Sequence, residues 1–278
     1  MSRSSTGRKP GQGKLSKQES REVEERLRLR APVVYEIVRA EGEEELARPV
    51  ASLWWSGLAA GIAISMSVVS EGLLRRHVPD VPWRPLIEDL GYTVGFLIVV
   101  LGRLQLFTEN TITAVLPLMA ERTPHNLYQT GRLWGIVFAA NIVGTLIFAL
   151  AATYGGIFPP DQIDAFREIS LHFMSKPPFE MMLHGIPAGF LIAVMVWMIP
   201  SAKGADFWVI LLLTYLIALG DFSHVIAGSA EAFLLLAHGE IGLWQTFAGF
   251  LAPAFVGNVI GGTALFTVLA YSQVRKEL

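Results

Sequence analysis

The chain has 278 residues, of which 52% are hydrophobic and only 17% are charged. Soluble domains contain about 25% charged residues, so this composition indicates a membrane protein. The formal net charge of −2 argues against a nucleic-acid partner. The sequence contains no cysteine, which excludes disulfides, thiolate metal sites and a cysteine nucleophile.

Charge is concentrated before the first apolar run, which begins near residue 50 and is too late for a signal peptide. Residues 1–50 hold 11 of the 22 Lys and Arg residues. We therefore predict three parts. They are a cytoplasmic segment over 1–50 (disordered over 1–17, helical over 18–47), a six-span channel domain over 51–272, and a cytoplasmic tail over 273–278.

Six hydrophobic runs are long enough to cross a bilayer, which takes about 20 residues. The second and fifth runs are long and are interrupted by polar residues and glycine. Residues 155–180 form the longest connection and accommodate a short amphipathic helix. Six spans put both termini on one side, and the Lys and Arg of the first 50 residues predict that this side is the cytoplasm. The runs lie at roughly 51–74, 91–120, 130–154, 181–200, 207–237 and 243–272.

Three short matches, in the same order, relate the first three spans to the last three. "SGLAAGIAI" from Ser56 matches "HGIPAGFLI" from His184, Leu-Gly occurs at 101–102 and 219–220, and "NIVG" at Asn141 matches "NVIG" at Asn258. Halves with an odd number of spans must be inverted relative to each other. Broken helices of such repeats face each other near the midplane. The sequence thus predicts an all-α, aquaporin-like 3+3 protomer in which broken helices 2 and 5 line a path.

The interruptions carry recognisable motifs, "LFTEN" at 106–110 and "FSHVIAG" at 222–228, beside the two N-x-x-G pairs. On these motifs residues 35–272 resemble the formate/nitrite transporter family, and in particular its YfdC-type inner-membrane subgroup. The resemblance implies a homopentamer in a bacterial inner membrane, embedded in lipid, without cofactor or metal. It also implies one pore per protomer for small monovalent anions or their conjugate acids.

The resemblance further implies which side chains line the pore. His224 and Thr108 are expected in a central chamber, Leu106 and Phe107 at an apolar constriction, and Phe222 beside them. A charged imidazole is costly in a membrane interior, so a neutral His224 would donate a hydrogen bond, or a proton, to an anion. Alternatively, the ring bonds a backbone carbonyl between helices.

Polar neighbours of these motifs have simpler expected roles. Thr108 either binds the ligand or caps the half-helix that begins near Asn110. We expect Asn141 and Asn258 to hold helices together by hydrogen bonds rather than to contact the ligand. Lys176 resembles a family lysine at the outer vestibule, although a loop lysine is by default a solvated charge.

The chain departs from the family pattern at charged positions. Gln105 and Ser223 stand where acidic residues usually precede the two motifs. Arg103 and Asp221 each follow the shared Leu-Gly, and charges at that depth should pair. We predict an Arg103–Asp221 ion pair beside the pore, with Glu109 and Glu231 as the alternative partners of Arg103.

Two alternatives to an anion channel stay open. The lost acids and the new charges are compatible with a pore for neutral solutes or water, or with a non-conducting structural homologue. The sequence has no Asn-Pro-Ala turn, which argues against an aquaporin proper. It has neither a His-Glu-x-x-His nor a Gly-x-Ser-x-Gly motif, so an enzyme is not expected.

Overall fold

The computed structural model describes residues 28–277. Within the chain, Ala31–Leu278 form one compact unit, to which the following description is confined. The predicted disorder over 1–17 and the first part of the predicted 18–47 helix, up to residue 27, lie outside the described residues.

Residues 28–277 form helices joined by turns and loops and contain no β-strand. Proline at the first or second position begins several helices, because its missing N–H is not needed there. In chain order the helices are α1 (Ala31–Ala47), α2 (Val50–His77), α3 (Arg84–Glu88), α4 (Tyr92–Leu101), α5 (Asn110–Ala120), α6 (Pro124–Tyr154), α7 (Pro160–Phe173), α8 (Pro178–Ser201), α9 (Asp206–Leu219), α10 (Val225–Ala237) and α11 (Gln245–Val274).

Four helices of the described region are long and apolar enough to cross a membrane, namely α2, α6, α8 and α11. The shortest of them has 24 residues, which at about 1.5 Å per residue exceeds the roughly 30 Å hydrocarbon core of a bilayer. The helices α5, α9 and α10 are apolar but shorter. The last long helix, α11, includes two π-helical stretches, Gln245–Leu251 and Ile260–Thr267.

Helices α4 and α9 end in the same way. Each ends on Leu-Gly, and the next residue, Arg103 or Asp221, has a left-handed backbone with φ of 54° or 51°. The N–H of Leu104 bonds the carbonyl of Val99 at 3.0 Å, and that of Phe222 makes the corresponding bond, also at 3.0 Å. This pattern is the Schellman motif, which satisfies the last carbonyls of a helix. Residues 102–109, here called the first turn, connect α4 to α5, and residues 220–224, here called the second turn, connect α9 to α10.

Small residues bring the long helices close together in two matching pairs. A Cβ on Gly61 of α2 would lie 2.2 Å from the carbonyl oxygen of Asn141 on α6. A Cβ on Gly189 of α8 would lie 2.1 Å from the carbonyl oxygen of Asn258 on α11. Such separations are tolerated only by glycine, which lets the backbones of neighbouring membrane helices touch.

Candidate functional site

Two buried asparagines fasten the turns to the long helices with identical sets of hydrogen bonds. Asn141 donates from Nδ2 to the carbonyls of Gly57 and Gln105, both at 2.8 Å, and its Oδ1 accepts from the N–H of Phe107 at 2.9 Å. Asn258 donates to Gly185 and Ser223, both at 2.8 Å, and accepts from Val225 at 2.9 Å. Each asparagine thus satisfies two backbone groups of a turn that would otherwise be unpaired in an apolar interior, and ties them to a carbonyl of a long helix.

The two turns meet at one hydrogen bond. Oγ1 of Thr108 lies 2.7 Å from Nε2 of His224, and both side chains are 0% exposed. Nδ1 of His224 accepts from the N–H of Ala227 at 3.1 Å, so His224 is also the N-cap of α10. Because Nδ1 accepts, a neutral imidazole carries its proton on Nε2 and donates it to Thr108. The hydroxyl proton of Thr108 is then directed away from His224.

Both side chains of this contact are fully buried, and aromatic rings pack against His224 and against Phe107, the neighbour of Thr108. The ring of Phe96 meets the imidazole of His224 edge-on, with centroids 5.0 Å apart. Phe107 stacks on Phe255 with centroids 5.0 Å apart and packs edge-on against Trp134 and Phe138. The Thr108–His224 pair therefore lies in a dry environment, where protonating the imidazole would cost both desolvation and the cap to Ala227.

A first cavity, here called the α1 cavity, lies on one side of the turns. It has a volume of about 260 Å³ and is bordered by the first turn and by α1. Arg103 lies in it with Nη1 3.3 Å from Oε1 of Glu41, and Gln105 bonds Glu45 of α1. The lining includes the apolar residue Leu106, which precedes Thr108 by two positions in the chain.

A second cavity, here called the α7 cavity, is bordered by the other turn and by the end of α7. Its volume is about 340 Å³. Its lining includes the apolar residue Phe222, which precedes His224 by two positions in the chain. Its lining includes the acidic residues Glu71, Glu88, Asp89, Asp221 and Glu231.

Comparison with known proteins places the chain in a family. A sequence profile described as formate/nitrite transporter matches residues 32–272. The chain belongs to the formate/nitrite transporter family. It is 43% identical to the inner membrane protein YfdC of Escherichia coli (strain K12) over 256 residues, which cover 92% of this chain and 82% of that protein.

Solved structures have the same fold. A structure described as an FNT family ion channel gives a TM-score of 0.76 at 18% identity and covers 86% of this chain and 98% of its own. A pentameric formate channel with formate bound gives a TM-score of 0.70 at 20% identity, covering 82% and 98%. The prediction of an all-helical membrane protein of the formate/nitrite transporter family is confirmed, and the structural neighbours are channels rather than enzymes.

The Arg103–Asp221 ion pair predicted from the sequence is wrong. Arg103 borders the α1 cavity and pairs with Glu41, whereas Asp221 borders the α7 cavity and pairs with Lys176. The prediction placed both charges at one depth because each follows the same Leu-Gly. In the structure the two matching positions line different cavities, so the two charges do not meet.

Lys176 has a defined environment in this member of the formate/nitrite transporter family. Its side chain is only 7% exposed, its ammonium group lies 5.0 Å from the ring centroid of Phe173, and it forms an ion pair with Asp221. A lysine neutralised in this way is not a free cation at the mouth of a path.

Some residues of the site were missed by sequence reasoning. Glu71 is a buried acid in an otherwise apolar helix, a signal that was available. Phe96 and Glu45 gave none, because their contacts with His224 and Gln105 depend on how α4 and α1 pack.

Proposed function

We propose that the protein is a channel of a bacterial inner membrane that conducts small monovalent anions, such as formate and nitrite, or their conjugate weak acids. Membership of the formate/nitrite transporter family supports this class of substrate. The name of the E. coli relative supports the inner membrane as its location. A small weak acid also suits the site, because protonation abolishes most of the desolvation cost of an ion.

The proposed architecture is a 3+3 inverted repeat of six spans. In it α4 with α5, and α9 with α10, are the broken second and fifth spans. The identical hydrogen bonds of Asn141 and Asn258, and the matching Schellman turns before Leu104 and Phe222, support this arrangement. We further propose a homopentamer with both termini in the cytoplasm. The pentameric formate channel of the same fold supports the first part, and the Lys and Arg content of residues 1–50 the second.

One observation carries the functional proposal, namely the buried hydrogen bond between Thr108 and His224. Leu106 and Phe222 are proposed to form apolar constrictions, here called necks, on either side of the Thr108–His224 contact. Phe107 packs against Phe255 and supports the first turn. An anion between the necks would accept a hydrogen bond from the Thr108 hydroxyl, whose oxygen in turn accepts from the imidazole Nε2. Water is excluded there, so each such bond is stronger than at a surface.

The test is uptake of formate, nitrite and acetate by liposomes containing the purified protein, measured across pH. His224→Asn is the informative variant, because Asn is a good N-cap and keeps the acceptor for the N–H of Ala227 while losing the Nε2 donor. We expect a fall in uptake and a changed pH dependence. Thr108→Ser retains a hydroxyl and is the matched control. Wild-type rate and pH dependence in His224→Asn would refute the role of the imidazole.

A pore for neutral solutes is the second candidate. It is favoured by the Lys176–Asp221 ion pair, which leaves that lysine unable to attract anions at the α7 cavity. Glycerol uptake measured in the same liposomes separates the candidates. Faster uptake of glycerol than of any weak acid would favour the neutral-solute pore.

A further inference from the structure

The acidic residues of the α7 cavity are not balanced by the cations around it. Arg75 lies 2.9 Å from a carboxylate oxygen of Glu88 and 3.1 Å from one of Glu168. Lys176 is paired with Asp221. Arg84 is also paired, with Asp80 at 3.1 Å and Glu88 at 3.4 Å. Each of these three cations is therefore already neutralised by Glu88, Glu168, Asp80 or Asp221.

Three further acids border the same cavity without an ion pair in the described part of the chain. They are Glu71 of α2, Asp89 between α3 and α4, and Glu231 of α10. The other titratable side chains that face them are Tyr92 of α4 and His172 of α7. Three like charges without counter-ions in a buried cavity would repel one another and would each lose hydration.

Glu231 is the most enclosed of these acids. It is 5% exposed, and its Oε2 is buried without a hydrogen-bond partner in the structure. It lies seven residues beyond His224 along α10, two turns of helix and about 10.5 Å at the usual rise. Seven residues also bring it back to nearly the same face. The residue that carries this unpartnered oxygen thus borders the α7 cavity, which is also lined by Asp221 and Phe222 of the turn that leads to the Thr108–His224 contact.

The physical consequence of this burial is proton binding. An unpaired buried carboxylate is costly, and the group takes up a proton instead. Asp89, which lies outside the spanning helices, gives a direct indication. Burial, with Glu88 and Asp221 nearby, raises the pKa of that carboxyl to about 7. With the three acids neutral, the remaining pairs Arg75–Glu88 and Lys176–Asp221 leave the cavity lining electrically balanced.

We propose that the α7 cavity is a proton-loading site, in which Glu231 protonates a small weak-acid anion before it reaches His224. The Oε2–H bond of Glu231 breaks, and its proton forms an O–H bond on the anion. The products are a Glu231 carboxylate and a neutral acid, which passes the apolar neck at Phe222. Glu231 regains a proton from water of the same compartment, by way of Asp89 and Glu71. Each passage thus carries one anion and one proton, with no net charge.

This inference rests on the proposed function and assigns a proton-transfer step to the end of the proposed pore at the α7 cavity. Glu231→Gln is the informative variant, because the amide has the shape of the protonated acid and no proton to transfer. We expect formate uptake at pH 7 to fall at least about tenfold, the lower range for losing a proton-transfer group. The deficit should narrow in acidic buffer, where the medium itself supplies the neutral acid. Asp161→Asn removes an acid on helix α7 that pairs with Arg76, both outside the cavity lining, so this control should behave as wild type.

The assay uses the full-length protein in phosphatidylethanolamine/phosphatidylglycerol vesicles, with uptake measured at several pH values. Infrared difference spectroscopy of the same samples reports the carbonyl band of a protonated carboxylic acid without requiring transport. We expect that band in the wild type at pH 7 and its reduction in Glu231→Gln. If this variant does not assemble, Glu71→Gln and Asp89→Asn, on other elements of the cavity, are expected to alter the same band and the same pH profile.

The outcomes separate the two proposals. Wild-type uptake and pH dependence in Glu231→Gln, faster uptake than wild type, or an unchanged carbonyl band would overturn proton loading and leave the channel proposal standing. Absence of weak-acid uptake by the wild type would instead overturn the channel proposal. Uptake that generates a membrane potential would overturn the one-proton, one-anion passage.

Discussion

Replacing either buried asparagine should destabilise the protein by the same amount. Asn141→Ala removes three hydrogen bonds and leaves the carbonyl of Gln105 and the N–H of Phe107 buried without partners, whereas the carbonyl of Gly57 keeps its bond within the helix. Side-chain hydrogen bonds in membrane proteins contribute about 0.6 kcal/mol on average and up to about 1.7 kcal/mol. Three such bonds therefore contribute about 2 to 5 kcal/mol. The unmet backbone groups favour the upper part of this range, because leaving a buried polar group unpaired costs about 1–3 kcal/mol.

Asn258→Ala removes the equivalent three bonds and should cost a similar free energy of unfolding. The measurement is equilibrium unfolding of the detergent-solubilised protein, followed by tryptophan fluorescence, which the seven tryptophans make possible. Asn126→Ala is the control, because this side chain makes a single exposed bond to the carbonyl of Glu121. Loss of stability in only one of the two buried variants, or in neither, would refute the equivalence of the two turns.

Three further perturbations have defined outcomes. Burial raises the pKa of Asp89 from 3.8 to about 7, so its contribution to stability is complete below about pH 4 and is lost as the pH rises through 7. In Asp89→Asn the free energy of unfolding should therefore vary less with pH between 4 and 7. A pH dependence of stability equal to that of the wild type would contradict this. Arg103→Ala breaks an exposed ion pair with Glu41, so the free energy of unfolding should fall by less than about 1 kcal/mol. A larger loss would show that the side chain of Arg103 stabilises the first turn. Gly42→Leu should release α1 from α5, because a Cβ at residue 42 would lie 1.9 Å from the carbonyl oxygen of Thr113. Limited proteolysis should then cleave α1 faster than in the wild type. An unchanged rate of cleavage would contradict this packing.

Local chemistry explains which features were accessible from the sequence. Hydrophobic length indicates the first span at 51–74, and α2 occupies Val50–His77, because apolar runs of that length have few other stable forms. The polar motifs that interrupt the second and fifth apolar runs indicate breaks there, and α4 and α9 end at Leu101 and Leu219, just before those motifs. These features depend on residues close together in the chain.

The charge partners were not accessible in the same way. Lys176 and Asp221 meet because α7 folds back over the second turn, and Arg103 meets Glu41 because α1 packs beside the first. Matching sequence positions gave the wrong pair, since Arg103 and Asp221 line different cavities. The unpartnered oxygen of Glu231 likewise becomes visible only when the neighbours on other helices are known.

The decisive measurement is a double-mutant cycle on formate uptake, using Thr108→Val, His224→Asn and the double variant. If the two residues act through their shared hydrogen bond in the path, the double variant should be no slower than the slower single variant. Losses that multiply, as expected for independent sites, would contradict a path that runs through this contact.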